Sequence, residues 1–84
     1  MNVVEIYSKP DCHLCDVAKE ALREAQKASP FELKEIILHE GDEKFEQYSG
    51  RVPVILINGT FAFQFRVTAQ ELLKRLGDSA RGAK

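Results

Sequence analysis

The chain has 84 residues, 44% of them apolar, enough for one domain with a modest core and too few for two. Its 12 basic and 13 acidic side chains are mixed along the chain and give a net charge of −1, so no basic block points to nucleic acid or an anionic membrane. The longest apolar runs, such as Val52 to Ile57, are too short to span a bilayer, and no basic-then-apolar leader opens the chain, so the sequence predicts a cytoplasmic protein in a reducing compartment.

Val3 to Tyr7, β-branched and aromatic, predicts a short buried strand. Ser8 to Asp11 is turn chemistry, with Pro10 unable to continue a ladder. From His13 to about Ala28 the residues are strong helix formers. Leu14, Ala18, Ala21, Leu22 and Ala25 form an apolar face, and Lys19, Glu20, Arg23, Glu24 and Lys27 the wet side. Ser29-Pro30 ends the helix, and Phe31 to Leu38 returns as a second strand. Such a βαβ unit has a right-handed crossover and parallel strands. A short acidic helix is expected around Asp42 to Tyr48, with Glu40, Asp42, Glu43 and Glu46 solvated and His39 in a solvated loop.

Val52 to Ile57 is the third strand. Asn58-Gly59 is a strong hairpin signal, so Thr60 to Phe65 should pair antiparallel to that strand, with Phe61, Phe63 and Phe65 on one face, in the core. Thr68 to Glu71 is a capping box opening a helix that carries Leu72, Leu73 and Leu76. Gly77 should stop it, leaving residues 78–84 as a disordered tail behind a single domain of residues 1–77. The order is β-α-β-α-β-β-α, with no internal repeat.

Cys12 and Cys15 are the only cysteines. At i and i+3 of a helix start they stand about 5 Å apart, close enough for a disulfide. So short a ring restrains little of the unfolded chain. A structural zinc needs four ligands, and the chain offers two cysteines, His13 and a remote His39. A reversible dithiol is the leading use. Cys12 would place its sulfur at the positive end of the helix dipole, where a thiolate is stabilised. Lys9 and a protonated His13 add to this field, and Asp11 and Asp16 oppose it. Cys12 is therefore the candidate nucleophile, and Cys15, one turn in, the resolving thiol.

Cys12-His-Leu-Cys15 after a first strand, Val52-Pro53 opening a third, and a terminal hairpin and helix resemble the glutaredoxins of the thioredoxin superfamily. More narrowly, Tyr7 to Leu22 together with Arg51 to Gly59 resembles a small bacterial-type group of glutaredoxin-like proteins. The resemblance runs from about Val3 to Leu76. It implies an α/β thioredoxin-like fold, a four-stranded mixed sheet in the order 2-1-3-4 with helices on both faces. It also implies a cis Val52-Pro53 peptide whose Val52 backbone pairs with an extended substrate. Lys9 would then meet a glutathione carboxylate. Where glutaredoxins carry a Gly-Gly pair before the last helix, this chain has Phe65, Arg66 and Val67. Bulk there crowds glutathione, while Arg66 offers a substitute partner for its carboxylate. Ile6 stands where thioredoxins have a buried acid.

The implied function is a thiol–disulfide oxidoreductase with catalytic Cys12 and Cys15 and a substrate surface of Lys9, His13, Val52, Pro53 and Arg66. It needs no metal or resident cofactor, with glutathione as a co-substrate at most. Partners would be disulfide-containing proteins or small thiols and a reductase, with a monomer as the default state. Two rivals remain: a glutathione-dependent iron–sulfur or metal module, and a non-catalytic interaction domain of the same fold.

Overall fold

The computed structural model describes residues 2–82, with side chains through Gly77. Strand β1 (Val3–Ser8) is central in a four-stranded sheet of order β2-β1-β3-β4, with β2 at Glu32–Ile37, β3 at Val54–Ile57 and β4 at Thr60–Gln64. Helix α1 (His13–Ala28) connects β1 to β2, α2 (Phe45–Tyr48) precedes β3, and α3 (Ala69–Gly82) closes the chain. β1 pairs parallel with β2, from Val3↔Glu32 to Ser8↔Ile37. It pairs antiparallel with β3, from Val4↔Ile57 to Tyr7↔Val54.

β3 is apolar on both faces, and β1 is so apart from Glu5 and Ser8, because both faces are covered. Val4, Ile6, Ile55 and Ile57 pack with Ala18, Leu22 and Ala25 of α1 and with Leu72 and Leu76 of α3. On the opposite face Tyr7, Val54 and Leu56 pack with Leu38 and with Tyr48 of α2. The Tyr7 and Tyr48 rings lie 4.9 Å apart. Among the described residues no helix is long and apolar enough to cross a membrane.

Two local signals act as expected. Asn58 and Gly59 hold φ of 52° and 83°, the two positive values of a tight hairpin turn. Thr68 and Glu71 exchange hydrogen bonds at 3.1 Å each, side chain to backbone N–H in both directions, which starts α3.

Four expectations need correction. The second helix is confined to Phe45–Tyr48. Asp42 does not start it. Its carboxylate accepts the His39 N–H at 2.9 Å, and Gly41 at φ 93° turns the chain ahead of it. The three phenylalanines do not share a buried face. The β3–β4 register shifts between Ile55↔Phe63 and Leu56↔Phe61, and this bulge breaks the alternation at Ala62. Phe63 packs against the core, whereas Phe61 and Phe65 are 44% and 43% exposed. Leu14 is not a core residue either: it is exposed, and Cys15 takes the buried position. Finally, α3 runs through Gly77 to Gly82. Glycine inside a helix costs about 1 kcal/mol against alanine, which weakens a helix without ending it. The tail expected from residue 78 is therefore helical as far as Gly82, and residues 83 and 84 lie outside the described residues.

Candidate redox site

The site lies at the C-terminal end of β1. Asp11 turns the chain there with φ 57°, a left-handed conformation that aspartate tolerates. Cys12 follows in an extended conformation as the N-cap of α1. It lies at disulfide distance from Cys15, with Cα atoms 5.2 Å apart and the Sγ atoms bonded.

Cys12 does with sulfur what serine or aspartate does with oxygen at a helix start. Its Sγ accepts the Cys15 backbone N–H at 3.1 Å, one of the donors a helix leaves free in its first turn. When the pair is reduced, that donor and the positive helix end both favour the charged form of Cys12. Cys15 differs: it is 1% exposed, beneath the first turn, while Cys12 is half-buried. One sulfur is thus presented and the other covered.

Three connections meet at this end of the sheet. The first is the β1–α1 turn. The second is Val52-Pro53, which extends β3 past the Tyr7↔Val54 pair. Its peptide bond is cis and Pro53 is buried. Among the described residues the Val52 N–H and C=O take no hydrogen-bond partner. The third is the β4–α3 turn. There the Phe65 N–H donates to Pro53 O at 2.9 Å and the Arg66 N–H to Gln64 O at 2.7 Å, which ties the third connection to the second. Phe65 sits at φ 67°, inside that tight i to i+2 turn. An aromatic residue there is unusual, because the conformation suits glycine.

The first and third connections enclose a groove of about 360 Å³ beside Cys12. His13, Leu14 and Val17 line it from α1, and Phe65, Arg66 and Val67 from the opposite turn. The structure therefore brings His13 and Arg66 together across an apolar cleft. Lys9 points elsewhere: its Nζ lies 5.5 Å from the Phe45 ring centroid, on the α2 side.

That side carries a feature the sequence did not announce. The Lys44 Nζ stands 5.5 Å over the Tyr7 ring and 5.8 Å over the Tyr48 ring, and the Arg51 guanidinium stands 5.6 Å over Tyr48. The Lys44 ammonium is held above its ordinary value, chiefly by charge interaction with Tyr7, then by a hydrogen bond to Tyr7 and by Tyr48. The apolar groove was equally hidden. Leu14 and Val17 read as ordinary helix positions, and only the two-residue run Phe65-Arg66 before the cap hinted at bulk. Among the described residues no cluster of three or more histidine, cysteine or acidic side chains is arranged to hold a metal.

Solved structures share this architecture. The X-ray structure of protein XcR50 from X. campestris is 27% identical, with a TM-score of 0.76, over 89% of this chain and 96% of that one. Its solution structure is 29% identical with a TM-score of 0.70, over 89% of this chain and 92% of that one. A thioredoxin-2 described as a component of the malaria parasite protein secretion machinery is 18% identical, with a TM-score of 0.72, over 93% and 82% of the two chains; at that identity it shows the fold alone. The family model of the glutaredoxin-like domain (DUF836) matches residues 3–77. Together with two cysteines at disulfide distance on a helix start, that match supports a general role in thiol–disulfide redox chemistry. With the match spanning nearly every described element, the chain belongs to the glutaredoxin-like domain family.

Proposed function

We propose that the protein is a thiol–disulfide oxidoreductase in which Cys12 attacks and Cys15 resolves. The observation that carries this reading is the Cys15 N–H donated to Cys12 Sγ at 3.1 Å, at the open start of α1. In the reduced protein the Cys12 thiolate attacks one sulfur of a substrate disulfide. The substrate S–S bond breaks, a mixed disulfide forms, and the released sulfur takes a proton. Cys15 then gives up its proton and attacks Cys12 Sγ. The second substrate sulfur leaves, and two electrons have passed from the protein to the substrate. The unpaired Val52 backbone suits an extended cysteine-containing segment, and the groove between His13 and Arg66 suits its neighbouring side chains.

Glutathione is a poor fit to the same surface. Phe65 fills a position where approach to α3 requires a small residue, and Lys9 is engaged with Phe45. Losing one charged hydrogen-bonded anchor costs about 1.5–3 kcal/mol, roughly ten- to a hundredfold in affinity. The reading therefore favours protein disulfides as substrates and a protein donor of electrons.

Two measurements test it. Cys15→Ser should accumulate mixed disulfides with a model peptide disulfide, whereas Cys12→Ser should not; the reverse pattern would exchange the roles, and no exchange by either would remove the function. Steady-state turnover should be weak with glutathione and ready with dithiothreitol. Equal turnover with both would show that Arg66 restores the missing anchor, and Arg66→Ala should then abolish the glutathione rate.

A further inference from the structure

The groove beside Cys12 carries more apolar surface than the chemistry at the sulfur needs. Among the described residues the exposed large apolar side chains are Leu14, Val17, Ile37, Phe61 and Phe65. Three of them, Leu14, Val17 and Phe65, line this one groove. Scattered singly, exposed apolar side chains need no explanation. Gathered around a cleft of about 360 Å³, they mark a place where something docks. Phe65 adds to this. Its left-handed backbone, at φ 67°, is one a bulky residue adopts only under constraint, and such residues concentrate at functional sites.

The walls fix how an occupant runs. One wall begins at His13, the residue after Cys12. The other is tied by the Phe65 N–H to the carbonyl of Pro53, next to the unpartnered Val52 backbone. The groove is therefore continuous with the surface that suits a cysteine-containing segment. Its helical wall runs from His13 to Val17, about 6 Å at about 1.5 Å per residue. An extended chain covers that length in about two residues, at roughly 3.3 Å each. Charge completes the description. No acidic side chain lines the groove, and among the described residues the exposed Arg66 guanidinium on its wall enters no ion pair.

We propose that this groove selects the substrate: it takes a large apolar side chain lying within two residues of the reactive cysteine, and Arg66 meets a carboxylate beside that side chain. The substrate class is then a protein disulfide set in an apolar and acidic segment. The proposal rests on the dithiol reading above. Docking removes Leu14, Val17 and Phe65 from water, and the carboxylate gives the unpaired guanidinium a partner for which no wall residue competes. Glutathione fits less well, since it has carboxylates but no apolar side chain to fill the cleft. No bond is made or broken in the groove. It holds the segment while exchange proceeds at Cys12.

Peptide disulfides test it. Each peptide carries one cysteine joined to a common small thiol, with leucine or serine placed in turn at each position within two residues of it, and glutamate or lysine beside that residue. At the favoured position kcat/KM should be about tenfold or more higher with leucine than with serine. Glutamate should gain about a further two- to fivefold over lysine, and lose it at high salt. Val17→Gln keeps a good helix former and should cut the leucine preference to about twofold or less. Phe61→Gln, at an exposed apolar position outside the groove, should keep that preference in full. Arg66→Gln should abolish only the glutamate preference, and Arg66→Lys should retain it. Equal rates for leucine and serine peptides at every position, or a preference that Val17→Gln leaves intact, overturn the proposal while the exchange itself stands. A second arm needs no turnover. The oxidised protein is titrated with the same peptides bearing serine in place of cysteine. The amide resonances of residues 13–17 and 65–68 should shift with the leucine–glutamate peptide and not with the serine–lysine one. Should no peptide disulfide react, the dithiol reading fails and this titration decides the groove alone: shifts there uphold its occupant, and their absence overturns it. The same shifts on raising the protein's own concentration, without peptide, would give the groove to a second copy and overturn the proposal.

Discussion

Replacing Phe65 by glycine and, separately, by alanine measures how much the turn beside the redox site resists its own residue. The backbone of Phe65 is left-handed, at φ 67°. For a residue with a Cβ this conformation costs about 1–2 kcal/mol. The side chain offsets part of that cost. It is 43% exposed, so somewhat more than half of its surface is buried, and full burial of a phenylalanine contributes about 1.5–3 kcal/mol. The buried share is therefore about 0.8–1.7 kcal/mol by the same scale. Alanine loses that packing and keeps the strain, so Phe65→Ala should destabilise by about 1 kcal/mol or slightly more. Glycine loses the same packing but removes the strain, against an entropy penalty of about 0.5–1 kcal/mol. Phe65→Gly should thus be more stable than Phe65→Ala by about 0.5–1 kcal/mol, reversing the usual order of the two residues. Urea unfolding of all three proteins at one pH, with equal slopes, reads this directly. Near the melting temperature, 1 kcal/mol corresponds to about 4–8 °C for a domain of this size. An alanine variant more stable than the glycine variant would refute the reasoning, because no left-handed residue would then be present.

Cys12 should react with iodoacetamide about ten- to a hundredfold faster than Cys15 in the reduced protein at mildly acidic pH, since one charge-assisted hydrogen bond is worth about 1.5–3 kcal/mol. Mass mapping that finds Cys15 labelled first would contradict this. Thr68→Ala removes the side-chain acceptor of the Glu71 N–H and should lower stability by about 1 kcal/mol; an unchanged urea midpoint would show that the cap contributes nothing. Leu22 has no exposed surface, so Leu22→Ala should cost about 2–5 kcal/mol, and a loss under 1 kcal/mol would mean that the core under α1 collapses to fill the space.

The legible parts of this fold were those written in short-range chemistry. Asn58-Gly59 demanded positive φ twice, Thr68 and Glu71 could satisfy each other within one turn, and the α1 pattern placed Ala18, Leu22 and Ala25 inside. The strand order came with the resemblance carried by Cys12 to Cys15 and Val52-Pro53, because nothing local decides which strand lies at the centre. What escaped depended on contacts distant in sequence. A bulge at Ala62 requires knowing how β4 meets β3, and it turned a clean alternation of phenylalanines into one packed ring and two exposed ones. The outward turn of Leu14 depends on where β1 lies beneath the helix, whereas the place of Cys15 one turn into that helix already pointed it toward the core. The stacking of Lys44 on Tyr7 and Tyr48 joins a strand to a helix about 40 residues further on, and a charged residue in an acidic run reads simply as solvated.

The two outer strands carry a consequence for self-association. A sheet edge offers backbone groups to any passing strand, and proteins blunt such edges with charge and irregularity. β2 presents exposed Glu32, Lys34 and Glu35 along its length, with Glu35 paired to Arg23 at 3.3 Å. β4 is bent by its bulge and cut short by the turn at Phe65. Strand addition along the flanks is thus discouraged by two different devices. The unpartnered Val52 backbone lies instead at the end of the sheet, in one short stretch beside the cysteines. A passing segment that finds that stretch gains only a short run of backbone partners, and one that settles on a flank meets charge or a bend, so the sheet is guarded against clumping along its whole perimeter.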